Sequence, residues 1–245
     1  MAGHSKWANI RHRKERMDSK RGKIFARLIK ETMVAAKIGG PDPDSNPRLR
    51  LALEKARAAN VPGDNLERAV KRGGGLLEGA EYAEIRYEGF GPGGAAVIVD
   101  CLTDNKNRAL SDIRFVFNKY GGNLGASGSV SRLFSRSGQL LYAPGADEEK
   151  LMETAAENGA EDVRSVEDGS VEIICPAADF AALLEAMRAA GHAPAEADIV
   201  MRPAADTPLQ GAESQKMGRL LHALEDLDDA QNIYTNAVLE EEAPF

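Results

Sequence analysis

Cysteine occurs only twice in the 245 residues, as Cys101 and Cys175, each inside an apolar run and far from the other. That spacing excludes a disulfide scaffold and fits buried thiols in a reducing compartment. No apolar run approaches the roughly 20 residues needed to cross a bilayer, and the first residues, MAGHSKWANIRHRK, contain no apolar stretch of a secretory signal. An organellar leader would be poor in acid, whereas Glu15 and Asp18 interrupt this one. The cytoplasm is the expected location, with no membrane partner. Histidine is scarce too: His4, His12, His192 and His222 are scattered without metal-ligand spacing, so no metal is expected.

What is present is a globular composition, 43% hydrophobic and 28% charged, in a chain long enough for two or three domains. The formal net charge of −7 conceals a sharp division. Residues 1–75 hold 18 Lys and Arg against 8 Asp and Glu, while the remainder holds 13 against 30. Over a Debye length of about 8–10 Å a local basic field, not the average, governs encounter with a polyanion.

From Arg16 to Lys37 the apolar residues Ile24, Phe25, Leu28, Thr32 and Ala35 recur at helical spacing. Arg16, Lys20, Lys23, Arg27, Lys30 and Lys37 share the neighbouring arc almost without acids, so like charges repel along a basic rail. A solvated helix face is the bland reading of such a run, and a membrane-surface helix is disfavoured by the short apolar side. The missing counter-charges point to a polyanionic partner. Because the rail lies outside the apolar arc, reversing Lys23, Arg27 and Lys30 is expected to abolish binding while leaving the helices folded. Ahead of the rail, Lys6, Arg11, His12, Arg13 and Lys14 surround Trp7, the only tryptophan. That Trp is either a core anchor or a stacking platform between phosphate-binding cations.

Downstream, Gly39-Gly40-Pro41 is a turn, Ser45 or Asn46 caps a second helix, and Pro62 opens a third that ends at Gly73-Gly74-Gly75, which reads as a hinge. Two strands flank GFGPGG, a helix follows through Tyr120, and a short strand is expected near residues 130–134. From Gln139 the order is β-α-β-β-α-β, the ferredoxin-like arrangement. The tail supplies a helix around Met217–Leu224 and a strand around Ile233–Val238 that cannot form a sheet alone. The expected fold class is therefore α+β and multidomain: a basic helical bundle (residues 1–78), a discontinuous α/β domain (79–135 and 206–245) and an inserted ferredoxin-like domain (136–205).

Three other segments carry candidate chemistry. Gly89, Gly91 and Gly94 match G-x-G-x-x-G, the mark of a nucleotide-dependent enzyme, but a strand follows where a dinucleotide loop needs a helix, so a hairpin turn is expected. Glu225, Asp226, Asp228 and Asp229 lack calcium-loop spacing and read as a solvated helix end. In Thr103-Asp104-Asn105-Lys106-Asn107-Arg108 the polar residues cap a helix, with Lys106 and Arg108 a secondary anion site as the lesser alternative. No catalytic arrangement can be assembled, and neither enzymatic activity nor a cofactor is expected.

GHSKWANIRHRK with Lys20, Lys23 and Phe25, then PRLRLALEKARAANVP, DNLERAVKRG, TDNKNRA and LEDLDDAQNIYTN together resemble the YebC family across nearly the whole chain. The resemblance implies an N-terminal helical domain followed by two α/β domains. It also implies a probable transcriptional regulator that binds DNA, or, as for the mitochondrial translational activators of cytochrome c oxidase, a ribosome-associated factor contacting ribosomal RNA. The chain begins directly at the shared motif, as expected of a bacterial cytoplasmic member. The acidic part is expected to offer contacts for the ribosome or other proteins.

Overall fold

A computed structural model describes residues 21–78, 81–166 and 168–240. Three helices come first: α1 (Arg21–Gly39), α2 (Pro47–Ala58) and α3 (Gly63–Gly73). Ala35, Ala36, Leu49, Leu53, Ala56, Val61 and Leu66 form their common core, with Phe25, Leu28 and Ile29 packed against it. The small residues let the backbones approach closely. A Cβ on Gly73 would lie 2.2 Å from the Met33 carbonyl oxygen, so this glycine closes the α1–α3 contact and is not part of a hinge. Asn46 is buried and caps α2: its Oδ1 accepts from the Leu49 N–H at 3.0 Å, and its Nδ2 donates to the carbonyls of Ala35 and Gly40, each at 2.8 Å. One amide thereby joins the end of α1 to the start of α2.

The rest of the described chain runs β1 (Ala83–Phe90), β2 (Ala96–Thr103), α4 (Lys106–Lys119), β3 (Asn123–Leu124), β4 (Phe134–Tyr142), α5 (Glu148–Glu157), β5 (Asp162–Ser165) and β6 (Val171–Pro176). It continues with α6 (Phe180–Ala189), β7 (Glu196–Pro203), β8 (Thr207–Pro208), α7 (Gly211–Glu225), β9 (Ala230–Thr235) and β10 (Ala237–Val238). Two four-stranded antiparallel sheets result, ordered β3-β1-β2-β9 and β5-β6-β4-β7, in an α+β chain. The tail strand β9 pairs with β2, satisfying an edge it could not satisfy alone.

Strand β2 is apolar over Ala96–Val99, where both its faces are covered. Val97, Val99 and Cys101 face α4 and α7, while Ala96 and Ile98 pack with Val130 and Phe134. The second sheet buries Leu140, Ile173 and Cys175 beneath Leu183 and Met187 of α6 and Leu151 of α5. Both cysteines are free and buried, and burial pushes the Cys101 thiol up to about 12 and Cys175 to about 11. The GFGPGG run closes the β1–β2 hairpin through a single 3-10 turn at Pro92–Gly94. Gly93 and Gly94 take positive φ, and a Cβ on Gly91 would meet the Met217 sulfur at 2.5 Å, so turn geometry and packing account for these glycines.

The strand expected near residues 130–134 is absent. Ser131–Leu133 is a 3-10 turn, and Phe134 instead opens the nine-residue β4. The loop's donors are claimed by a side chain: the carboxylate of Glu88 accepts from the backbone N–H groups of Gly128, Val130 and Ser131 at 2.8–3.0 Å and from the Ser131 hydroxyl at 2.6 Å. Burial alone would raise the Glu88 pKa, but these four donors outweigh it and hold the group at about 2. A depressed carboxylate contributes stability above its unfolded-state value that is lost as pH falls through the folded one. Thermal unfolding should therefore show a Glu88-dependent loss that starts below about pH 4.5 and completes near pH 2. Glu88→Ala should cost about 3 kcal/mol at neutral pH by stranding buried N–H groups. An unchanged melting temperature would refute this anchoring role.

Candidate nucleic-acid interface

Of the cations read as an interface, Lys6, Trp7, Arg11, His12, Arg13, Lys14, Arg16 and Lys20 lie outside the described residues. Lys23, Arg27, Lys30 and Lys37 lie on α1, and each meets a partner within the chain. The Lys23 ammonium donates to the Asp226 carbonyl at 2.7 Å and sits 3.7 Å from the Asp228 carboxylate. Arg27 donates to the carbonyls of Glu225 and, at 3.3 Å, Leu227. Lys30 donates to the Asp228 carbonyl at 2.9 Å and to Asp229 Oδ1 at 3.3 Å. Lys37 pairs with Glu81 at 3.6 Å between exposed side chains.

The Glu225 carbonyl closes the last turn of α7 and those of Asp226, Leu227 and Asp228 follow it, so the cations gather at the helix end where the dipole concentrates negative charge. The basic rail therefore caps a helix about 200 residues away, and the acids 225–229 supply the counter-charges missing from its own arc. The repulsion that argued for an external polyanion is balanced at Lys23, Arg27 and Lys30. The expectation that reversing them spares the fold is corrected accordingly, since charge reversal would set carboxylates against helix-end carbonyls.

Asp229 is not a solvated helix end either. Only 6% exposed, it accepts from Lys30, from the Thr103 hydroxyl at 3.0 Å, and from Arg108 through Nη2 at 2.9 Å and Nε at 3.2 Å. Arg108 also pairs with Asp104 at 2.8 Å, and Asn105 caps α4 by accepting from the Arg108 N–H at 3.1 Å. The anion opposite Arg108 is thus intramolecular, and its hydrogen bonds to Asp229 and Asp104 raise the guanidinium pKa. The Lys30 ammonium further lies 5.4 Å from the centre of the Tyr82 ring. TDNKNRA, LEDLDDA and the basic helix, read separately in the sequence, converge on one buried carboxylate.

Further ion pairs hold the helical part in place: Arg48 with Glu31 at 2.7 Å and with Glu84, Lys55 with Asp198 at 2.6 Å, and Arg188 with Glu54 at 2.9 Å. Other cations remain outward-facing. Arg68 and Arg72 are exposed and, with Asn65 and Ile29, line a shallow groove between α1 and α3. Arg68 is oriented by the Asp64 carbonyl at 3.1 Å and Asn65 Oδ1 at 3.0 Å, while Arg72 forms no ion pair among the described residues. Sequence reading passed over both, although their spacing of four in DNLERAVKRG places them on one helical face. Among the described residues no group of His, Cys, Asp and Glu could hold a metal ion, and no helix is long and apolar enough to cross a membrane.

The fold and this junction define a class of α+β protein in which a basic three-helix module is clamped by charge onto two antiparallel sheets. Models of the TACO1/YebC family match the chain in two blocks: the N-terminal domain over residues 5–76, and the second and third domains over residues 82–237. The chain belongs to that family. It is 57% identical over 98% of its length to the whole of a probable transcriptional regulatory protein from Cupriavidus pinatubonensis. It is 58% identical, with the same coverage, to one so named from Nitrosospira multiformis. The crystal structure of a conserved hypothetical protein from Aquifex aeolicus superposes with a TM-score of 0.84 at 44% identity, over 92% of this chain and 93% of that one.

Proposed function

We propose that the chain is a cytoplasmic, non-enzymatic regulator of gene expression that binds nucleic acid through its N-terminal helical domain, with DNA as its target. The division follows the sequence reading: residues 1–78 form the binding domain, 79–135 with 206–245 a discontinuous α/β domain, and 136–205 an inserted ferredoxin-like domain, whose strand order β5-β6-β4-β7 supports that assignment. The observation that carries the proposal is the segregation of charge, 18 cations against 8 acids in residues 1–75 and the reverse excess beyond. The names of the curated relatives support a transcriptional role.

In this reading the work divides among the cations. Lys23, Arg27 and Lys30 fix the module to the body, which leaves the arm residues Lys6, Arg11, His12, Arg13, Lys14, Arg16 and Lys20, together with Arg68 and Arg72, to meet phosphates, and Trp7 to stack. Phosphate contacts of this kind position a protein without reading sequence. Pull-down of chromosomal DNA and co-sedimentation with ribosomes, run on one lysate, test the target. Retention on DNA that is lost at high salt is expected. Association with ribosomes alone would replace DNA by ribosomal RNA as the target, and association with neither would overturn the proposal.

A further inference from the structure

Phe115 is the one aromatic among the large apolar side chains that stand exposed in the described residues, with 65% of its surface open to solvent. It lies on α4, whose inward stripe is Ala109, Ile113, Val116 and Phe117. At about 100° per residue, Asn107, Ser111, Arg114, Phe115, Asn118 and Lys119 share an outward arc of about 140° with Arg108, which Asp104 and Asp229 hold. These six are exposed and none is acidic; Asp112, also exposed, stands about 20° beyond the Lys119 edge. The Lys119 ammonium sits 5.8 Å from the centre of the Phe115 ring. Arg114 forms no ion pair among the described residues.

Building on the reading that this chain binds nucleic acid, we propose that this face of α4 is a second contact, for an unpaired nucleotide strand, with a base stacked on Phe115 and its phosphates held by Arg114 and Lys119. A phenyl ring left largely in water forfeits the favourable burial of its apolar surface. A base recovers this, since every base has a π-face and stacking tolerates sequence. A protein-docking anchor would sit in a contiguous apolar patch, yet no other apolar side chain occupies the arc, and its amides, hydroxyl and two cations match a nucleotide better. The acid excess of the downstream part is screened over about 8–10 Å, and the one acid of α4, Asp112, borders the strip against two cations within it, Arg114 and Lys119.

The test measures fluorescence anisotropy of labelled 12-mer oligouridylate, 12-mer oligothymidylate and a 12-base-pair duplex with the full-length protein. The exposed ring supports no core, so Phe115→Ala should leave the melting temperature unchanged. It should weaken single-strand binding about tenfold and duplex binding less than twofold. Phe115→Leu should fail like alanine, because an aliphatic side chain cannot stack, whereas Phe115→Trp should bind at least as well as the parent. Uridylate and thymidylate losses of similar size are expected, since stacking does not read the sugar. Unaltered single-strand affinity in Phe115→Ala, or full affinity in Phe115→Leu, overturns the proposal, the latter because an aliphatic side chain cannot stack. Duplex binding without single-strand binding sinks this inference and leaves the proposed function standing; binding to neither sinks both.

Discussion

Replacing Lys23, Arg27 and Lys30 together by glutamate should lower the melting temperature by about 10–20 °C, an effect of stability before it is one of binding. Each of the three side chains donates charge-assisted hydrogen bonds to carbonyls at or just past the end of α7, and Lys30 also reaches the buried Asp229. Hydrogen bonds to charged groups contribute about 1.5–3 kcal/mol each, so about 5 kcal/mol is lost in all once the half-exposed Lys23 is discounted for screening. Reversal adds repulsion against the negative helix end. A domain is stable by only about 5–15 kcal/mol, so the helical module should detach or unfold. Replacing the same three residues by alanine should cost less, because the repulsion is absent. Thermal denaturation of both triple variants is the check, and a reversal variant that melts with the parent would contradict the clamp. A loss of nucleic-acid binding in the reversal variant is therefore no evidence that these three side chains touch phosphate.

The secondary structure was legible in the sequence because it is written in local periods. The stripe Ala109, Ile113, Val116 and Phe117 marks α4, and the near-continuous apolar run from Ala95 to Cys101 marks β2 as a strand, as found. The missed strand near residue 130 shows the limit of such patterns: Glu88, about 40 residues earlier, takes the N–H groups a strand would need. The junction was illegible for the same reason on a larger scale. Nothing local joins Lys30 to Asp229, and the stretch 225–229 has the composition of a solvated helix end whether its last carboxylate is buried or not. The one usable signal was the rail itself, whose absent counter-charges had to lie elsewhere, inside the chain or outside it. Phe115 carried a signal too, as an apolar residue off its helix's inward stripe.

The central claim is that nucleic acid is bound by the cations of the N-terminal arm rather than by the three on α1 that meet the end of α7. Lys6, Arg11, Arg13 and Lys14 should supply most of the phosphate contacts, and their joint replacement by alanine should have the largest effect on affinity of any change considered. Six cations on duplex phosphates give log affinity against log salt a slope of roughly −5, and removing four brings it to about −2. The melting temperature should not move with the arm variant, in contrast to the rail reversal, so the two roles of the basic residues separate in one pair of experiments. The deciding measurement is the affinity of the full-length chain for duplex DNA from low to physiological salt, beside that of the four-alanine variant. A steep slope that falls by about three in the variant is the expected result. A shallow slope in the parent, or one unchanged by the four replacements, would contradict the assignment.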